Sequence, residues 1–206
     1  MKSTSILLLL GWIFLLTSCT TVKQFDSKEE LLTFITNKEN GYSQTKSVNG
    51  VDFSMMYRPT DLMVSQELSL SYDQQELTRL RDRYSKHLYF TVTLSKNNQE
   101  VLNSLARNRQ SFGAMVQQLS FDMGEKVHLF NSKKDTVPLA DYNYPRMYGM
   151  SNSTSLLFVY PRDERLLNDT TINLTIEDLG LATGEVKFKI PVDKLQHQPE
   201  IAFQNN

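Results

Sequence analysis

Histidine is the side chain most often used in catalysis near neutral pH, and this chain contains three histidines. His87, His128 and His197 lie in three different segments, and no two of them have the i, i+4 spacing that places zinc ligands on one helical face. His87 is predicted to end a helix, where a positive imidazole suits the helix dipole. We therefore interpret all three as surface or capping residues, and the sequence indicates neither a metal site nor a cofactor.

Serine and carboxylate side chains also lack the spacing of common catalytic motifs. There is no Gly-x-Ser-x-Gly elbow, and no Ser-x-x-Lys motif on a predicted helix with suitable partners. The acidic pairs Asp163-Glu164 and Glu177-Asp178 have the chemistry for glycoside hydrolysis or calcium binding, but the Asp-x-Asp-x-Asp-Gly run of a calcium loop is missing. We interpret both pairs as solvated turns. The sequence leaves enzymatic activity open and favours a protein without one.

One segment, 142–150, has the composition of a binding surface. It contains Tyr142, Tyr144, Arg146 and Tyr148, with two methionines and a proline between and after them. Tyrosine and arginine are enriched at interface hot spots, and methionine adds an adaptable apolar surface. The segment is a candidate site for a protein or glycan partner. The alternative is that the three tyrosines cover an edge of the core.

The N-terminal residues have the layout of a secretory signal. Lys2 precedes an apolar run over 6–16, and the run ends in Leu16-Thr17-Ser18-Cys19, which contains the only cysteine of the chain. This ending resembles the lipobox of bacterial lipoproteins. The resemblance implies cleavage after Ser18 and a diacylglycerol on Cys19. An uncleaved anchor is the alternative, but a run of about eleven residues is shorter than the roughly 20 needed to span a bilayer.

The lipoprotein resemblance also implies a location. A lipidated Cys19 places the protein in the bacterial cell envelope, anchored to a membrane by its lipid. In one Gram-negative phylum an acidic pair after the cysteine marks export to the outer face, and the residues of 20–24 depart from that pattern. We therefore expect the outer membrane, with the protein facing the periplasm.

Two further short patterns resemble acceptors for O-glycosylation of exported proteins in the same phylum. They are Asp135-Thr136-Val137 and Asp169-Thr170-Thr171, and both are predicted to lie near turns. The resemblance implies that Thr136 and Thr170 are candidate modification sites.

Composition limits the class of partner. A formal net charge of −1 argues against a general nucleic-acid binder, which needs an electropositive face. With Cys19 bound to lipid, no disulfide is available, so packing alone must hold the fold.

Periodicity predicts a mixture of helices and strands. A capping box at Ser27 and Glu30 starts a helix that ends at Asn40-Gly41, and Asn49-Gly50 predicts a hairpin. Further helices are predicted near 60–68, over 73–87 and over 100–119, with a break near Asn108. Further strands are predicted over 88–94, 126–130, 155–160, 171–176 and 185–190.

Together these elements predict an α+β fold, with helices in the N-terminal half and an antiparallel sheet or β-sandwich-like C-terminal half. The chain divides into a signal peptide at 1–18, a lipidated N-terminus and spacer at 19–26, and one globular domain at 27–206, with a sub-boundary near 120.

The sequence thus predicts a membrane-anchored envelope lipoprotein that acts as a non-enzymatic binding or scaffolding module. Two other classes stay open. An envelope hydrolase acting on glycans or peptides would need two carboxyl groups roughly 5–9.5 Å apart. A small-ligand carrier would need a large apolar pocket.

Overall fold

The computed structural model of the protein describes residues 22–69 and 71–204. The predicted signal and Cys19 lie outside these residues. The α-helices are α1 (Lys28–Thr36), α2 (Thr60–Glu67), α3 (Gln74–Ser85), α4 (Val101–Leu105), α5 (Arg109–Gln117), α6 (Glu164–Leu167) and α7 (Val192–Gln196). The strands are β1 (Gln24–Phe25), β2 (Ser43–Val48), β3 (Val51–Arg58), β4 (His87–Lys96), β5 (Val127–Asn131), β6 (Thr136–Val137), β7 (Asp141–Asn143), β8 (Thr154–Pro161), β9 (Thr171–Ile176), β10 (Val186–Pro191) and β11 (Glu200–Ile201).

Two antiparallel sheets form the centre of the molecule. The five-stranded sheet has the order β2-β3-β4-β8-β7, and the four-stranded sheet has the order β10-β9-β5-β6. In the larger sheet Val51 pairs with Lys96, and Leu94 pairs with Thr154. The two-residue strands β1 and β11 pair in parallel and join the two ends of the described chain.

The core lies between the inner faces of these sheets. Strand β3 shows the underlying alternation, since four of its residues point inward and are at most 1% exposed: Val51, Phe53, Met55 and Tyr57. The Tyr160 hydroxyl on β8 donates to the carbonyl of Val127 on β5 at 3.2 Å. At the other edge the Gln44 side chain donates to the Lys189 carbonyl at 2.6 Å. Both sheets therefore contribute to one hydrophobic cluster.

The predicted arrangement, with helices first and the sheet later, is wrong. The fold does mix helix and sheet, but the two kinds of element are interspersed along the chain. Three strands of the five-stranded sheet, β2, β3 and β4, come from the N-terminal half, and β8 and β7 complete it from the C-terminal half. The physical reason is that alternation marks a strand as half-buried but carries no information about its partner strand.

Several local predictions are confirmed. Ser27 caps α1 by accepting from the amide of Glu30 at 3.2 Å, while the Glu30 carboxylate accepts from the amide of Asp26 at 3.2 Å. Asn49 and Gly50 have φ values of 51° and 73°, as a two-residue hairpin turn requires. The predicted break near Asn108 is the start of α5, where the Asn108 side chain accepts from an amide three residues on.

Among the described helices, none has the length and apolar character needed to cross a bilayer.

Candidate functional site

A π-helix directly after α5 turns a large aromatic side chain toward solvent. Helix α5 ends at Gln117, and the wider π-turn covers Gln118–Asp122. Leu119 stays fully buried, whereas Phe121 is 68% exposed. Such π-turns are rare in proteins, and many of those that occur lie at functional sites.

The loop between β7 and β8 exposes further large apolar side chains. Met147 is 41% exposed, Tyr148 is 80% exposed and Met150 is 79% exposed. The Met150 amide donates to the Met147 carbonyl at 3.0 Å, which closes a tight turn. Tyr148 and Gly149 adopt positive φ values of 52° and 81° in this turn. A tyrosine in the left-handed region costs about 1 kcal/mol, so the turn displays its ring at a conformational cost.

A single side-chain bond joins the loop to the π-helix. Arg146 Nη2 donates to Ser120 Oγ at 2.6 Å, and in sequence these two residues directly precede Met147 and Phe121. On the other side of the loop, Gly149 lies beside the side chain of Asn103 on α4. We call the exposed side chains of the loop and the adjoining π-helix the Met/Tyr patch, and its members are Phe121, Met147, Tyr148 and Met150.

The four residues of the predicted binding segment separate into two pairs. Tyr142 and Tyr144 are half-buried and pack against the core, with the Tyr142 ring 6.1 Å from the ring of Phe158. Arg146 and Tyr148 are exposed. The tyrosines of the first pair anchor the base of the loop, and the second pair lies at its surface.

Sequence reasoning missed Phe121. The predicted helix ended at residue 119, and Phe121 follows the buried Leu119 without any local mark of exposure. Its neighbour Ser120 meets Arg146 across 26 residues of sequence, a contact that no motif indicates. A regular α-helix continued through this region would have directed Phe121 differently, because the π-turn adds a residue to the turn.

Three exposed arginines lie in the patch loop and near α4, which contacts that loop. Arg107 and Arg109 lie in and next to the short connection between α4 and α5, and both are exposed together with Arg146. Within the described residues, none of these three arginines forms a salt bridge. Two acidic residues lie in or next to the segments that carry the patch: Asp122 in the π-helix, and the buried Glu100, whose Oε1 accepts from the Ser151 amide of the loop at 3.3 Å.

His128 and His197 lie in pairs with carboxylates, whereas His87, predicted to end a helix, is the first residue of β4, because α3 ends at Ser85. His128 Nε2 lies 3.1 Å from Glu177, whose other oxygen accepts from Lys126 at 2.9 Å. These bonds, with that from Lys126 the larger, lower the pKa of Glu177. His197 lies 2.8 Å from Asp193 one helical turn earlier. Among the described residues, no three His, Cys, Asp or Glu side chains come together as a metal site would require.

The predicted acidic turns have structural partners. Asp163 caps α6 by accepting from the amide of Arg165 at 2.8 Å, and its carboxylate also pairs with the Arg165 side chain. Asp178 accepts from the amides of Gly180 and Leu181, both at 2.9 Å. These carboxylates therefore hold turns. The two candidate glycosylation sites, Thr136 and Thr170, are both exposed.

A buried ion pair holds the C-terminal strand in place. The Asp61 side chain is 3% exposed and binds the Arg81 guanidinium through both oxygens, at 2.9 and 2.6 Å. Asp61 also accepts from the amide of Ile201 at 2.8 Å, and Arg81 donates to the Ile201 carbonyl at 3.1 Å. We call this arrangement the Asp61 clamp. It lines a polar cleft of about 350 Å³ together with Gln198, whose amide group bonds Tyr57 and Thr60.

An apolar groove of about 540 Å³ lies beside the N-terminal strand. Phe25 and Phe34 line it, with ring centroids 5.0 Å apart, and Lys23 places its ammonium group 4.0 Å from the Phe34 ring centre. The groove is open to solvent and shares its rim with Glu29 and Glu30. A carrier site would enclose most of its ligand, and this groove does not.

Comparison with protein-family models, with curated proteins and with solved structures found no match to this chain. The chain is therefore assigned to no domain family, which agrees with a sequence in which the lipobox is recognised but no domain family is.

Proposed function

We propose that this protein is a membrane-anchored envelope lipoprotein that acts as a non-enzymatic binding or scaffolding module, and that the Met/Tyr patch is its binding surface. The observation that carries the proposal is that one hydrogen bond joins two distant segments, which between them expose four large apolar side chains. Single exposed apolar residues are ordinary, but a group of them on one surface favours an interaction site.

The side-chain chemistry supports a protein partner. Aromatic residues and methionine bury a large area on association, and a tyrosine keeps a hydroxyl for hydrogen bonding at the rim. The core supports the loop from below, since Tyr142 and Tyr144 are packed there. The patch is thus displayed by a braced loop, which lowers the entropy lost on binding.

The hydrolase alternative has less support. The buried carboxylate of Asp61 and the surface carboxylate of Asp163 both bind arginine, and Asp178 holds a turn. Groups bound in this way are poor general acids or bases, because the bond partners stabilise one charge state.

The proposed binding surface is tested by site-specific photo-crosslinking in intact cell envelopes. Tyr148 is replaced by p-benzoylphenylalanine, and the control carries the same probe at Gln75, which is exposed on α3. We expect a reproducible protein adduct from position 148 and none from position 75. Equal labelling from both positions, or no adduct from either, would contradict the proposal.

The proposed anchor is tested separately. Cells are labelled with palmitate, and the parent protein is compared with a Cys19→Ala variant. We expect label on the parent only, together with a purified native form that begins at residue 19. Equal labelling of both proteins would exclude Cys19 as the lipid attachment site.

A further inference from the structure

We propose that the Met/Tyr patch docks an acidic segment of an envelope protein, and that the fold presents the patch on the side away from the anchoring membrane. This inference rests on the proposed function and adds to it the chemistry and the direction of the partner. It is carried by two independent observations, namely the charges around the patch and the place where the N-terminal strand joins the fold.

The charges favour an acidic partner. Arg146 lies in the patch loop, and Arg107 and Arg109 closely follow Asn103, whose side chain lies beside Gly149 of that loop; all three arginines are exposed. Arg146 donates one bond to the Ser120 hydroxyl and has no carboxylate partner, and the other two arginines form no salt bridge among the described residues. Arginine is weakly hydrated and binds carboxylates through two parallel hydrogen bonds. An apolar centre with a cationic rim therefore complements a segment that combines apolar and acidic side chains.

The position of the N-terminal strand indicates where the lipid tether would join the fold. Phe25 on β1 packs against Phe34, which packs against Tyr42 at the start of β2, with ring centroids 5.0 and 5.7 Å apart. Tyr42 in turn lies 6.5 Å from Tyr57 near the end of β3. The N-terminal strand thus lies at the β2 edge of the five-stranded sheet, next to the strand end marked by Tyr57.

The patch lies at the opposite corner of the same sheet. Its loop leaves β7, the other edge strand, and reaches β8 at Thr154, where Ser95 donates to the Asn152 carbonyl at 3.0 Å. From Val51, at this end of β3, to Tyr57 is about 20 Å along the strand. From β2 to β7 is about 19 Å across the sheet. The patch and the N-terminal strand are therefore separated in both directions.

The connection to the lipid is short. Five residue steps separate Cys19 from Gln24, and a fully extended chain of that length spans at most about 18 Å. Strand β1 is fixed to the fold by bonds from the Glu200 amide to the Lys23 carbonyl at 2.9 Å and from the Ala202 amide to the Phe25 carbonyl at 2.8 Å. With the lipid on Cys19, strand β1 lies within about 18 Å of the bilayer, and the patch lies at the far corner of the sheet from β1. This geometry favours a protein over the anchoring membrane as the occupant of the patch.

The experiment uses the lipidated full-length protein with p-benzoylphenylalanine at position 148 in intact envelopes. The test variant also carries Arg107→Glu and Arg109→Glu. The matched control carries Arg79→Glu and Lys133→Glu, two reversals of exposed charges on other elements. The yield of adduct is measured for each protein, and the chemical nature of the adduct is identified by mass spectrometry.

We expect the yield to fall about tenfold or more in the Arg107/Arg109 variant and to stay unchanged in the control, because like charges across an interface are strongly unfavourable. We also expect the crosslinked peptide of the partner to carry a net negative charge. An adduct yield that the arginine reversals leave unchanged would overturn the inference of an acidic protein partner. An adduct with lipid, glycan or a second copy of this chain would do the same. Either result would still leave the patch as a binding surface. Absence of any adduct would instead overturn the proposed function.

Discussion

At the scale of single residues, Asp61 links parts of the chain that lie far apart in sequence. It accepts from Arg81, which is 20 residues away, and from the amide of Ile201, which is 140 residues away. A carboxylate that is 3% exposed is stable only when hydrogen bonds replace the water it has lost. Asp61 therefore stabilises the fold through its bonds to Arg81 and to the Ile201 amide.

Removing this carboxylate should destabilise the protein strongly. We expect Asp61→Ala to lower the free energy of unfolding by about 3 kcal/mol, because Arg81 and the Ile201 amide both lose their acceptor. Chemical denaturation monitored by circular dichroism measures the change. Arg83→Ala is the control, since it breaks an exposed pair with Glu67 and should cost at most about 1 kcal/mol. Equal losses in both variants would show that the clamp contributes no more than a surface pair.

The Asp169 carboxylate should make stability depend on pH in the acid range. Its bonds to the Ser132 hydroxyl and amide, and then to the Thr170 amide, lower its pKa from 3.8 to about 2. Because the pKa is depressed in the folded state, the stabilisation is present above the unfolded pKa of about 3.9 and is lost as the pH falls through about 2. We expect the stability difference between the parent and Asp169→Ala to shrink over this window.

The Ser132→Ala variant tests the cause of the low Asp169 pKa directly. It removes the largest contribution to the low pKa, so the Asp169 carboxyl should titrate at a higher pH in this variant than in the parent. NMR titration of the side-chain carboxyl carbon measures both values. A parent value near 3.9 would contradict the prediction.

At the scale of elements, two glycines differ in the backbone conformation that the fold requires of them. Gly50 occupies the hairpin turn with φ of +73°, whereas Gly113 lies within α5 with an ordinary helical backbone, and neither has another group within 4 Å of an added Cβ. Steric contact therefore plays no part in either position. The difference between them comes from the backbone conformation alone.

The same substitution should consequently have opposite effects at these sites. We expect Gly50→Ala to lower the free energy of unfolding by about 1 kcal/mol, because the left-handed conformation is unfavourable for alanine. We expect Gly113→Ala to raise it by up to about 1 kcal/mol, because alanine favours the helix. Thermal and urea unfolding of the two variants measure the signs. A change of the same sign in both would contradict the assignment of the Gly50 turn or of α5.

At the scale of the whole molecule, the two ends of the described chain hold each other. Strand β1 pairs only with β11 among the described strands, and β11 is held by the Asp61 clamp. Strand β1 also packs on α1, since the Phe25 ring lies 5.0 Å from the Phe34 ring, so the segment after the proposed lipid is held by both β11 and α1.

A shortened chain should release the N-terminal strand. We expect a variant ending at Pro199 to be cleaved by trypsin after Lys23 severalfold faster than a control ending at Phe203, which keeps β11. Proteases need a locally unfolded segment, and loss of β11 leaves the β1 carbonyls without their amide partners. Mass spectrometry of the early fragments measures the rate. Equal rates after Lys23 in both chains would show that β1 is held by other contacts.

Much of the local structure was predictable from the sequence. The cap at Ser27, the turn at Asn49-Gly50 and the break at Asn108 each depend on residues within four positions of one another. The loop at 142–150 was identified by composition, but its division into two supporting tyrosines and an exposed surface was not. That division depends on contacts with Phe158 and with the π-helix.

By itself, then, the sequence determined the cap at Ser27, the turn at Asn49-Gly50 and the inward-facing side of β3, because hydrogen bonds between near neighbours and the period of two along a strand decide these features. It also carries the prediction of lipid on Cys19. Only the tertiary structure decided that β8 pairs with β4, that Arg146 meets Ser120, and that Asp61 holds Ile201. These contacts join segments separated by tens of residues or more. Their formation depends on how the whole core packs, and a local pattern contains no record of that packing.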